Sequence, residues 1–243
     1  EAANRWYIVE EGRRYVFHLK RDARWSDGVP VTAYDFEYAW KRFLHPSRGL
    51  VPATSFYNIK GARAYHQGEV GDSDTVGVRS LDDFALVVDL ENPDRNFLHL
   101  TRYAMPVPRH LVEVCGDDWT TPGRLVSNGP FKLESWQQGE SLVLARNPHY
   151  TGRFEGNLEK VELSFAPSAR AVEAYGAGRL DVFDLDFAPP VEMDRMRYEY
   201  PDEYLSVPEL STYYLRYDLS RPPFHDRCVR RAFAMAMDRV RLT

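Results

Sequence analysis

Between Arg14 and Leu44 the hydrophobic period of the chain changes from two to 3.6, and few folds accommodate that change. In residues 14–20 (RYVFHLK), Tyr15, Phe17 and Leu19 fall on one face, the pattern of a half-buried strand. Asp27-Gly28 and Pro30 mark a turn. Thr32 then has the chemistry of a helix N-cap, and Asp35, three residues on, completes a capping-box pattern. In residues 33–44, Phe36, Ala39, Trp40, Phe43 and Leu44 form one stripe of an amphipathic helix, which Pro46 stops. A strand that feeds such a helix has to bury both apolar faces in a shared core.

The same two periods recur downstream. A loop rich in Pro, Gly and Ser covers residues 45–58, and a second helix is predicted over 59–67. Strands are predicted at 75–79 and 84–90, joined by a turn at Leu81-Asp82-Asp83. Residues 94–103 read as helical, and Pro106 and Pro108 as a crossing segment. Ser127-Asn128-Gly129-Pro130 is a strong turn, with Asn128-Gly129 expected to supply positive φ. A hairpin follows, 131–136 and 141–146 around Gln138-Gly139, closed by Asn147-Pro148. Residues 161–166 give a further strand, Ser168 begins a short helix, and 180–185 return as a strand. A last strand is predicted at 212–219 (TYYLRYDL), and Asp226 caps a final helix carrying Val229, Phe233, Ala236 and Met237. No internal repeat or low-complexity tract appears. The irregular alternation predicts an α/β chain of mixed sheets with at least two lobes.

Composition narrows the function. With 243 residues, 44% of them apolar, the chain can bury a sizeable core in one or two domains. The net charge of −5 comes with scattered basic residues, which argues against a nucleic-acid surface. No apolar run approaches the roughly 20 residues a membrane helix needs. The opening Glu1-Ala2-Ala3-Asn4 is not a signal peptide, and the last residues run on in a helical pattern; both are expected of a segment of a longer gene. Cys115 and Cys228 fit no C-x-x-C or metal spacing and are expected to be unpaired.

Catalytic patterns are missing as well. The seven histidines include no H-x-x-x-H pair, and there is no G-x-S-x-G elbow or phosphate loop. Gly176-Ala177-Gly178 reads as a helix C-cap. Asp181, Asp184 and Asp186 lack the glycine and distant glutamate of a calcium loop. No enzyme activity, metal or cofactor is therefore expected.

Four segments in this order carry a family resemblance. They are 15–44 (YVFHLKRDARWSDGVPVTAYDFEYAWKRFL), 127–150 (SNGPFKLESWQQGESLVLARNPHY), 175–182 (YGAGRLDV) and 212–239 (TYYLRYDLSRPPFHDRCVRRAFAMAMDR). Together they resemble the family 5 extracellular solute-binding proteins of ABC transporters, the oligopeptide- and dipeptide-binding group. The resemblance implies a partial periplasmic-binding-protein architecture of class II, lacking most of the second main lobe. By it, residues 1–124 are an accessory lobe with its lead-in strand. Residues 125–210 are part of the first main lobe, and 211–243 hold the hinge strand and first helix of the crossing to the second. It also implies a bacterial, extracytoplasmic receptor, periplasmic or a cell-surface lipoprotein. Such a receptor is monomeric, takes a small peptide between its lobes and delivers it to a membrane permease. The same fold also serves as the solute-sensing module of some cytoplasmic transcription regulators, which leaves a second reading open.

Resemblance points to three ligand regions. In the hinge strand, Tyr213 and Tyr214 face opposite sides; Tyr214 is favoured for the cleft, with Arg216 on its side. Phe183 and Asp184 approach the cleft from a second segment, and Phe56 and Tyr57 from a loop. Arg216 stands where relatives often have an acid, and Asp184 where an aromatic is common. The acid that holds a peptide's amino terminus is expected beyond Thr243.

Overall fold

The computed structural model describes residues 2–48, 51–153, 156–186, 188–208 and 214–238. The chain divides into two compact units, residues 1–167 and 168–243, and each is described by itself.

Unit 1 opens with an antiparallel pair, β1 (Ala3–Val9) and β2 (Arg14–Leu19). In β2 the expected Tyr15, Phe17 and Leu19 are the buried residues. The helix α1 (Ala33–Phe43) follows, and its start is the predicted capping box. The Asp35 carboxylate accepts from the Thr32 backbone N–H at 2.8 Å and from its hydroxyl at 3.2 Å. It also accepts from the buried Trp25 indole at 3.5 Å and, through its other oxygen, from the Arg109 N–H at 3.1 Å. This satisfied, buried acid ties the turn at Trp25, the start of α1 and the start of a later helix together.

A short helix, α2 (Ala62–His66), lies within the span predicted for it. Next come β3 (Val78–Asp82) and β4 (Ala85–Asp89). Their turn falls at Asp83-Phe84 and not at Leu81–Asp83, because Asp82 still pairs with Ala85 and its carboxylate accepts from the Phe84 N–H at 2.8 Å. The sheet is antiparallel throughout, in the order β1-β2-β4-β3. Of the predicted 94–103 helix, α3 (Phe97–Leu100) and a 3-10 turn at Thr101–Tyr103 form. The proline-marked crossing leads into a helix that the sequence reading lacked, α4 (Arg109–Cys115), with Pro108 at its N-cap.

The core lies between this sheet and α1. Trp40 touches Phe56 and Phe97, and Phe97 in turn meets Tyr15 at 4.8 Å between ring centroids. Both polar tips in this cluster are satisfied: Trp40 Nε1 donates to the Ala104 carbonyl at 3.0 Å, and the Tyr15 hydroxyl to that of Asp94 at 2.8 Å. Each fully buried large side chain here is worth roughly 1.5–3 kcal/mol.

A second sheet in unit 1 has the order β5-β6-β7, from β5 (Phe131–Gln137), β6 (Ser141–Arg146) and β7 (Lys160–Ser164). The β5–β6 hairpin turns at Gly139, whose φ is +79°. None of the side chains of these strands is buried. The turn before β5 is not made by positive φ at Asn128 or Gly129. Hydrogen bonds make it instead. Ser127 Oγ accepts from the Gly129 N–H at 2.9 Å, and the buried Asn147 amide donates to the Gly129 carbonyl at 2.9 Å.

Unit 2 holds α5 (Ser168–Gly176), α6 (Pro190–Glu199) and α7 (Arg227–Ala236). Gly178, at φ +66°, caps α5 as expected. The carboxylate of Asp226 accepts from the Cys228 N–H at 2.6 Å, the predicted cap of α7. The strand expected at 180–185 does not form: its described residues find no ladder partner, and the segment runs as bends and loop. Of the strand expected at 212–219, residues 212 and 213 lie outside the described residues. Residues 214–218 have no ladder partner among the described residues, and 219–220 turn. A strand needs a neighbour for its N–H and C=O groups, and the described residues supply none at either place. Cys115 and Cys228 are free thiols. No described helix is long and apolar enough to cross a membrane.

Candidate ligand-binding segments

The residues singled out from the sequence fall in both units. In unit 1, Phe56 is 4% exposed and wedged between Trp40 and Phe43, at 6.1 and 5.5 Å between ring centroids. It belongs to the hydrophobic core of unit 1, and its ring has almost no free surface. Tyr57 is half-buried, its ring covered by the Arg63 guanidinium at 5.3 Å and adjoined by His66 at 5.8 Å.

In unit 2, Phe183 leans on Tyr175 at 5.2 Å between centroids, and Tyr175 meets Tyr200 edge-on at the same distance. The Tyr175 hydroxyl donates to the Glu203 carboxylate, which raises its pKa above the usual tyrosine value and keeps it a neutral donor. Asp184 is exposed, and its Oδ1 accepts from the Asp186 N–H at 2.8 Å, closing an Asx turn. Asp181, Asp184 and Asp186 form no metal-binding group, and no group of three or more such ligands occurs among the described residues.

Tyr214 is 78% exposed, and Arg216 is exposed as well. Tyr217 between them and the chain's next turn packs instead, against Phe224 at 5.2 Å and Phe233 at 6.2 Å. This anchor leaves Tyr214 and Arg216 facing outward. Asp218 has its pKa lowered by hydrogen bonds from the Ser220 hydroxyl and N–H, with the Arg216 charge adding to them. Tyr213 lies outside the described residues. The sequence reading missed the aromatic group Tyr175–Tyr200 because it missed α6. The Pro189-Pro190 pair was the available signal, since proline is favoured at a helix start.

Of the described residues singled out from the sequence, Tyr214, Arg216 and Asp184 are exposed and Phe183 is half-buried. The architecture is that of a class II periplasmic binding protein over part of its length. The crystal structure of Haemophilus influenzae OppA in complex with RPPGFSPFR superposes with a TM-score of 0.89 at 30% identity, covering 98% of this chain and 47% of that one. Burkholderia pseudomallei OppA gives the same score at 32% identity, over 100% of this chain and 48% of that one.

The chain belongs to the bacterial extracellular solute-binding proteins of family 5, whose middle-region model matches residues 1–243. Among curated relatives, the periplasmic oligopeptide-binding protein OppA of Escherichia coli is 35% identical over 95% of this chain and 43% of its own length. The probable deoxycholate-binding periplasmic protein YgiS of the same organism is 34% identical over 98% of this chain and 44% of its own. The chain thus spans less than half the length of the curated relatives it matches.

Proposed function

We propose that the whole polypeptide is the substrate-binding component of an ABC-type oligopeptide transport system and not an enzyme. It works outside the cytoplasm as a monomer and hands peptides to a membrane permease. One observation carries this reading: a relative crystallised with a nonapeptide matches nearly the whole chain in fold and sequence. Residues 1–124 serve as the accessory lobe, 125–210 as part of the first main lobe and 211–243 as the crossing. Peptide favours the closed arrangement of the lobes, and the hinge absorbs the rotation. Tyr214 and Arg216 face the cleft, with Phe183 and Asp184 beside them. The binding-protein names of the relatives favour transport over a regulator's sensing module.

The similarity to YgiS favours a second reading of the ligand alone: an amphipathic steroid acid, its carboxylate met by Arg216. Thermal unfolding of the full-length protein separates the two. A ligand at 100 times its dissociation constant adds roughly 2.7 kcal/mol. Stabilisation by a pool of two- to five-residue peptides supports the peptide receptor. Stabilisation by deoxycholate alone replaces peptides with bile acids, and no stabilisation by either overturns both.

A further inference from the structure

The solvent side of α1 borders a groove of about 600 Å³ in unit 1, closed on its other sides by α2, the loop around Asp74 and the start of α4. All but two of its twelve lining side chains, Glu37 and Asp74, carry a hydrogen-bond donor. Those two acids are already committed. Lys41 Nζ lies 2.7 Å from Glu37 Oε1 and 2.8 Å from Asp74 Oδ1, and the second Glu37 oxygen accepts from the Ser80 N–H at 2.7 Å.

One further feature marks a place for an anion. Arg42 Nη2 and Arg48 Nη1 converge on one oxygen, Asp117 Oδ1, at 2.6 and 2.8 Å. Two guanidiniums therefore share one carboxylate, whose side chain is 72% exposed. The carboxylate is open to solvent, so another oxyanion can reach the two guanidiniums and take its place. Tyr65, 5% exposed as a residue, adds a hydroxyl to the groove wall.

We infer that this groove is a second ligand site, specific for a small anion bearing carboxylate or phosphate groups. Its oxyanion displaces Asp117 between Arg42 and Arg48, and further ligand oxygens accept from the donors of the groove wall. The site does not rest on the peptide reading, because none of Tyr214, Arg216, Phe183 and Asp184 contributes to it.

Calorimetric titration of the full-length protein with citrate, and separately with inorganic phosphate, tests the site. Saturable binding is expected for at least one of them, and which one binds tells a polycarboxylate site from a phosphate site. The Arg42→Gln/Arg48→Gln variant should weaken it about tenfold or more. Asp117→Asn, which removes the competing carboxylate, should tighten it about two- to fivefold, an effect a merely structural residue would not give. Absence of saturable binding for both anions overturns the site, as does an affinity that the double variant leaves unchanged. An unchanged or weaker affinity in Asp117→Asn overturns the exchange of carboxylates. Peptide stabilisation measured on the same samples keeps these outcomes separate from the fate of the peptide reading.

Discussion

Arg14 Nε lies 2.6 Å from Asp89 Oδ1, and the two residues are register partners on β2 and β4. Arg79 on β3 reaches the other oxygen of the same carboxylate at 2.8 Å, so one acid links three strands. Burial alone would raise the Asp89 pKa. The hydrogen bond and charge of Arg14, and then those of Arg79, outweigh burial and hold it below the usual carboxylate range. A folded-state pKa below the unfolded one adds stability that is present above the unfolded value, about 3.9. That stability is lost as pH falls through the lowered folded value. Asp89→Asn should therefore cost about 1–2 kcal/mol at neutral pH. In urea unfolding at a series of pH values, the variant and the parent should converge in acid. A cost independent of pH would show that the pairs contribute nothing.

Asp35 should be the most sensitive polar residue of unit 1. Asp35→Ala leaves the donors of Thr32, Trp25 and Arg109 without their acceptor, at a cost of about 3 kcal/mol or more. Thr32→Ala removes only one side of the capping box and should cost about 0.5–2 kcal/mol. Denaturant midpoints at a common slope check the ranking.

Phe56 and Tyr214 should respond oppositely to truncation. Phe56→Ala opens a cavity among Trp40 and Phe43 and should cost about 3–5 kcal/mol, without altering ligand affinity in the protein that remains folded. Tyr214→Ala should leave stability within about 0.5 kcal/mol and weaken peptide binding by about 1 kcal/mol or more. Parallel unfolding and titration experiments distinguish the two.

This contrast reflects what was legible in the sequence. The strand at Tyr15–Leu19, the capped helix α1 and the β5–β6 hairpin all rest on local chemistry: period, cap and turn. Each was read close to its observed bounds. The strands expected at 180–185 and 212–219 carry strand-like residues as well, but a strand also needs a neighbour, and sequence period says nothing about neighbours. Helix α6 was missed for a different reason: Met196 is its one buried residue, so no apolar stripe marks it, and only the Pro189-Pro190 pair signals its start. The burial of Phe56 was not legible, because an aromatic in a segment without clear period looks the same whether it lines a cleft or fills a core.

Hydrogen–deuterium exchange of the full-length protein, with and without a saturating peptide, tests the central claim most directly. The account predicts that peptide slows exchange in residues 183–186 and 214–218, the segments presenting Phe183, Asp184, Tyr214 and Arg216. The buried, paired core strands β2 and β4 should stay unchanged. Peptide binding that leaves both segments unaffected would contradict the placement of the cleft. A protein in which no peptide alters exchange anywhere would contradict the peptide receptor itself.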